Sequence, residues 1–164
     1  MVAIRKSNEE GHRRKFLVVV DYTPECDRAI VYAAKRAART SGIVTLLFVV
    51  APGDFQHWLG VEDIMRAEAT EEAEATLAKA AERVRSVAKT EPETVIREGN
   101  KAEAVLELIE ADTDIAILVL AAGTSSEGPG PLVSSIAGKS AGNFPIPVTI
   151  VPGNLDDDSI AALA

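Results

Sequence analysis

Apolar residues fall in two rhythms along this chain. Short unbroken runs of aliphatic and β-branched residues alternate with longer stretches in which an apolar residue returns every third or fourth position. The first rhythm marks strands covered on both faces, the second amphipathic helices. Residues 16–21, Phe-Leu-Val-Val-Val-Asp, predict a first strand that closes on a carboxylate. Thr23 and Pro24 suit an N-cap and a first helical position, and Gly42 a C-terminal stop, so a helix is expected to about Ser41. Its stripe of Cys26, Ala29, Ile30, Ala33, Ala34, Ala37 and Ala38 is mostly alanine, as a helix lying close on a sheet requires. Residues 44–50 give the second strand, completing a βαβ unit and with it a parallel sheet. A long amphipathic helix spans Val61 to about Thr90, with Val61, Ile64, Met65, Ala69, Ala73, Leu77, Ala80, Val84 and Val87 inward. Residues 93–98 alternate like an edge strand, and residues 101–112 form a third helix with Ala104, Val105, Leu108 and Ile109 inward.

The stretch 114–151 organises the rest. A nearly continuous apolar run ending at Ala122 reads as a central buried strand. A loop rich in glycine, serine and proline follows, then a fourth helix from about Pro131 to Gly142, then a last strand at 146–151. Pro145, Pro147 and Pro152 mark that strand as an edge, because proline cannot donate to a ladder. Five strands alternating with four helices predict a doubly wound, flavodoxin/Rossmann-like α/β sheet with helices on both faces, the third and fifth strands at its edges. In such a sheet ligands sit in the loops after central strands, and phosphates favour helix N-termini.

Length and charge narrow the picture. At 164 residues one domain with a sizeable core is expected: a flexible arm at 1–14, the domain at 15–153 and an acidic tail at 154–164, frayed apart from a short helix at its end. A net charge of −8 argues against a nucleic-acid binder, despite the basic cluster at His12, Arg13, Arg14 and Lys15, which reads as a solvated lead-in. No apolar run is long enough for a membrane span or a secretory core. A lone cysteine suits a reducing cytoplasm, and its place on the helix stripe makes Cys26 a core residue rather than a nucleophile. Two scattered histidines offer no metal spacing. The glutamates of the long helix read as a solvated face. In the loop at 51–60, Phe55, His57 and Trp58 read as an aromatic plug over the sheet edge, or as the lining of a pocket or partner surface.

Two motif resemblances fail on inspection. Gly138-Lys139-Ser140 looks like the end of a P-loop, but Val133 stands where its first glycine belongs, and the tripeptide is not between strand and helix. Gly128-x-Gly130 lacks the third glycine of a dinucleotide fingerprint, again at Val133.

Five segments in order resemble the universal stress protein family over about residues 15–153. They are Val-Val-Val-Asp-Tyr-Thr at 18–23, Leu-Leu-Phe-Val-Val at 46–50, Arg97-Glu98-Gly99-Asn100-Lys101-Ala102-Glu103-Ala104, residues 118–123, and Pro147-Val148-Thr149-Ile150-Val151. The resemblance implies strand order 3-2-1-4-5 and a homodimer joined through the last strand, 146–151. It implies an adenosine site at Asp21, with Val20 and Val49 as apolar walls. The phosphate motif of the nucleotide-binding branch, Gly-x-x-Gly-x9-Gly-Ser/Thr, falls on Ala121, Thr124, Ser134 and Ser135, where only Ser135 matches. Gly123, Gly128 and Gly130 lie nearby, and Leu120, Gly123 and Ile136 complete the expected binding set. Proline at 129 and 131 removes two N–H donors, and Glu127 would repel a triphosphate unless screened. Thr124, Ser125, Ser126, Ser134 and Ser135 offer hydroxyls in their place.

The resemblance implies a cytoplasmic, dimeric regulator of the stress response that binds ATP or AMP, with Mg²⁺ only alongside ATP. The alternative is a member that binds no nucleotide and works through protein partners. An enzyme such as a nucleotide hydrolase is the third reading: no catalytic base, nucleophile pair or metal cluster is recognisable in the loop. No nucleic-acid or membrane partner is expected.

Overall fold

The computed structural model describes residues 3–52 and 61–164. Phe55, His57 and Trp58 therefore lie outside the described residues. In chain order the elements are β1 (Lys15–Val20), α1 (Cys26–Arg39), β2 (Ile43–Val50), α2 (Glu62–Ala88), β3 (Glu93–Glu98), α3 (Lys101–Ala111), β4 (Ile115–Ala122), α4 (Pro131–Ser134), β5 (Val148–Pro152) and α5 (Asp157–Leu163). The strands form one five-stranded sheet in the order β3-β2-β1-β4-β5, and every pairing is parallel.

The pleat sends alternate residues of each buried strand to opposite faces, and each face has its own core. Val18 and Val20 of β1 join Leu46 and Phe48 of β2 beneath α1, α2 and α5. Leu17 and Val19 join Leu47, Val49, Leu118 and Leu120 beneath α3 and the segment after β4. The alanine stripe works as its composition predicts: Ala33, Ala34 and Ala37 are fully buried, so α1 lies close on the sheet.

Several boundaries differ from expectation. The first helix starts at Cys26, because Thr23 does not cap it; the Thr23 hydroxyl and amide both donate to Asp21 Oδ1 instead, at 2.5 and 2.9 Å. Helix α2 is buried only from Ala73, and Val61 and Ile64 are exposed. Its 27 residues extend about 40 Å, whereas the eight residues of β2 extend about 26 Å, so its first turns project beyond the strand ends. The fourth helix does not run to Gly142. It has four residues, then widens into a π turn (Ser135–Lys139) closed by a bond from Ser140 N–H to the Ser135 carbonyl, then a 3₁₀ turn (Ala141–Asn143). That widening accompanies the burial of Ile136. The last strand begins at Val148, two residues later than expected.

Among the described residues, the segments before β1 and after β5 are both tied to the body of the fold. Arg5 Nη1 donates to the carbonyls of Ile109, Asp112 and Ile115 at 2.6, 3.1 and 3.3 Å, and the Lys6 amide to that of Thr113. The acidic tail is not frayed: Ile160 of α5 is fully buried. Arg28 and Arg83 both reach Asp157, at 2.7 and 3.0 Å, and both also bond Asp27. Arg39 donates to the carbonyls of Ala161 and Ala164. Although partial burial opposes it, hydrogen bonds from Arg83 and Arg28 hold the Asp27 carboxyl below its ordinary range. Hydrogen bonds from Arg28 and Arg83 do the same for Asp157.

Candidate functional site

The sheet order dictates where a hollow opens. From β1 the chain turns one way to β2, while β4 lies on the other side of β1, so the helices after β1 and before β4 cover opposite faces. At the C-terminal ends of β1 and β4 the covering therefore parts. A cleft with a cavity volume of about 80 Å³ lies there. Val19, Ala29, Leu120, Leu132 and Val133 give it an apolar lining, and Asp21, Thr23, Glu25 and Lys101 ring it with polar groups.

Each polar group owes its position to local structure. Asp21 is the first residue past β1, and its bonds to Thr23 leave Oδ2 directed at Lys101 Nζ, 3.9 Å away. Lys101 opens α3 immediately after the Asn100 N-cap, whose side chain accepts from the Glu103 amide at 3.1 Å. Because α3 runs antiparallel to the strands, its first residue arrives at the same end of the sheet as Asp21. Glu25 precedes α1, and its Oε1 lies 2.8 Å from the point a Cβ on Gly123 would occupy. Cys26 lies at the cleft floor; burial pushes its thiol up to about 12, and Sγ donates to the Val19 carbonyl at 3.7 Å. A thiol so hard to ionise is no nucleophile at neutral pH.

The loop between β4 and α4 folds back on itself. Gly123 N–H donates to the Pro129 carbonyl at 3.0 Å, and Gly128 N–H to that of Ser125 at 3.1 Å. Gly128 and Gly130 hold φ of +100° and +111°, which only glycine adopts readily. Pro129, Gly130 and Pro131 thereby form one wall of the cleft.

The residues expected from sequence divide accordingly. Asp21, Leu120 and Ala121 line the cleft. Val49 lines an adjoining hollow with Tyr22, Phe48, Met65, Glu68 and Glu72, to which Asp21 and Lys101 also belong. Val20 faces the α1–α2 core, and the pleat puts Val19 into the cleft in its place. Gly123 starts the loop, but Thr124, Ser134 and Ser135 are exposed and outside the lining, and Ile136 is packed in the core. The hydroxyls read as phosphate donors are thus not gathered at the cleft. Glu25 and Lys101 were not singled out in advance. Lys101 was legible once a parallel sheet was assumed, since the helix before a central strand must start at the ligand-binding end.

The donor set suits the adenosine part of an adenine nucleotide better than its phosphates. Apolar walls and a carboxylate acceptor match a base and its exocyclic amine. A triphosphate there would face Glu25, two prolines and the Gly123 and Gly128 amides, which are already bonded within the loop. Among the described residues, no cluster of three or more His, Cys, Asp or Glu side chains is placed to hold a metal.

The model of the universal stress protein family matches residues 12–152. Solved structures agree in fold. The universal stress protein UspA from Lactobacillus plantarum aligns at 19% identity over 84% of this chain and 97% of its own, with a TM-score of 0.67. A universal stress protein from Archaeoglobus fulgidus in complex with dAMP aligns at 15% identity over 92% of this chain and 99% of its own, TM-score 0.56. A family protein from Arabidopsis thaliana with AMP bound aligns at 15% identity over 88% and 94%, TM-score 0.57. No curated protein sequence matches significantly. With most of its length matched by the family model and its sheet in the same order as expected from the resemblance, the chain belongs to the universal stress protein family.

Proposed function

We propose that this protein is a cytoplasmic, dimeric regulator of the stress response that takes an adenine nucleotide in the cleft between the ends of β1 and β4. One observation carries the reading: a carboxylate, Asp21, stands over an apolar floor of Val19, Leu120 and Ala121 at the point where the sheet changes winding direction. Structural neighbours described as complexes with dAMP and AMP support it by analogy of fold. AMP is the better candidate of the two nucleotides, and Mg²⁺ has a place only with ATP. The dimer forms through β5, whose Val148, Thr149 and Ile150 are only half-buried in the single chain and whose outer edge is unpaired among the described residues.

A second reading has its own observation. The replaced glycines at Ala121, Thr124 and Ser134, with the Gly123 and Gly128 amides bonded within the loop, favour a family member that works through protein contacts alone. Denaturing the purified protein and searching for released nucleotide, then titrating adenosine, AMP and ATP by calorimetry, separates the two. Binding of adenosine or AMP tighter than about 1 mM supports the first; absence of both supports the second. If ATP binds, a product assay tests the hydrolase reading. Substituting Thr149→Arg and measuring light scattering tests the dimer, which should fall to monomer.

A further inference from the structure

We infer that Glu25 makes the cleft selective for adenine nucleosides bearing at most one phosphate, and that nucleoside triphosphates are rejected. This rests on the adenosine reading of the cleft and adds which ligands of that class it accepts.

A loop that cradles a polyphosphate must offer N–H groups without other partners and a backbone the anion can approach. Here the two glycine amides nearest the cleft, Gly123 and Gly128, are spent on the Pro129 and Ser125 carbonyls, so the loop N–H groups left for an anion are those of the exposed stretch 124–127, outside the cleft lining, and of Gly130. Pro129 and Pro131 have no amide hydrogen. The α4 helix that follows has only four residues and little dipole to contribute. Into the same space comes a carboxylate. Glu25 Oε1 lies against Gly123, and the Glu25 Cβ is 3.1 Å from where a Cβ on Gly153 would sit. The side chain therefore spans the gap between the ends of β4 and β5. A phosphate chain leaving an adenosine held at Asp21 and running along the loop would pass this carboxylate.

The other way out is no better. The adjoining hollow carries Glu68 and Glu72 from α2. Among the described residues lining the two hollows, Lys101 is the single cation against Asp21, Glu25, Glu68 and Glu72. Standing 3.9 Å from Asp21, it can meet one phosphate. Three phosphates would leave most of their charge facing carboxylates.

The test is calorimetry on the full chain with adenosine, AMP and ATP at fixed ionic strength, using the wild type, Glu25→Gln, Lys101→Gln and the loop-tip control Glu127→Gln. The expected result is ATP at least about tenfold weaker than adenosine in the wild type. Glu25→Gln should narrow that gap by about tenfold with adenosine affinity unchanged, while Glu127→Gln leaves it in place, because Glu127 is exposed and outside the cleft lining, where solvent screens it. Lys101→Gln should weaken AMP and spare adenosine. Thermal melting of each variant verifies folding. If ATP matches adenosine in the wild type, or Glu25→Gln leaves the gap intact, the selectivity inference fails while the adenosine site stands. If adenosine itself does not bind, both fall.

Discussion

Removing most of the Ile160 side chain tests whether the acidic tail is part of the fold. Ile160 sits in α5 at 0% exposure and packs into the core that α1 and α2 share. Ile160→Ala deletes three buried carbons, a transfer loss of about 2.4 kcal/mol at about 0.8 kcal/mol per methylene. A cavity adds to this, although a helix at the chain end can settle into part of it, so about 2.5–3 kcal/mol is expected, near the low end of measured large-to-small changes. For a chain of this size that corresponds to a fall in Tm of roughly 5–12 °C. The assay is urea unfolding with the m-value compared, alongside thermal melting. Leu163→Ala is the internal control: it lies three residues on in the same helix but is 65% exposed, and it should change stability by less than about 0.5 kcal/mol. If Ile160→Ala is as mild as Leu163→Ala, α5 is not docked and the tail is frayed after all.

Other outcomes follow from the same geometry. Asp27 and Asp157 are both held below their ordinary carboxyl range, so the folded chain binds fewer protons in acid than the unfolded chain. The stability they contribute is complete above the ordinary range and lost as pH falls below about 4, and a pH series of urea midpoints should decline there. Arg83→Ala should flatten that decline, with a loss at neutral pH of only about 0.5–1 kcal/mol because the carboxylates are partly exposed. Arg5→Ala removes the donor to three carbonyls beneath α3 and β4 and should cost about 1–2 kcal/mol, with faster amide exchange at Lys6. Gly130→Ala meets no side chain, so its cost of about 1–3 kcal/mol comes from forcing φ of +111° on an L-residue, and it should appear as a lowered Tm.

How much of this was legible in the sequence depends on the kind of signal. Strands such as β1 and β4 announce themselves because both faces are largely buried and nearly every position is apolar; β3 was legible as an edge because it is short of apolar residues and its ends are charged, and in the fold only its central Val95 and Ile96 are even half-buried. The sheet order came from family resemblance, not from periodicity. What escaped were features set by tertiary contact. Thr23 has the chemistry of an N-cap, but Asp21 two residues earlier competes for it and wins. The tail looked frayed because Asp156, Asp157 and Asp158 dominate its composition; its anchors, Arg28 and Arg83, are distant in sequence. The stripe of α2 continued to Val61 on paper, but periodicity cannot reveal that the helix outruns the strands it covers.

The candidate site divides along the same line. Asp21, Leu120 and Ala121 follow from strand ends and topology. Val20 lies one residue out of phase with the cleft lining, since a period of two decides which neighbour faces the cleft and the apolar end of a strand gives no clue to phase. Ser134 and Ser135 have suitable chemistry, but the π turn and the closed loop leave them outside the cleft.

The most direct measurement is chemical-shift mapping of the ¹⁵N-labelled protein titrated with adenosine. Shifts gathered at Asp21, Thr23, Lys101, Leu120, Ala121 and Gly130, saturating with a Kd below about 1 mM, are the expected result. No shifts at that concentration, or shifts gathered at the β5 edge or on α5 with the ends of β1 and β4 silent, would contradict a nucleoside site between those two strands.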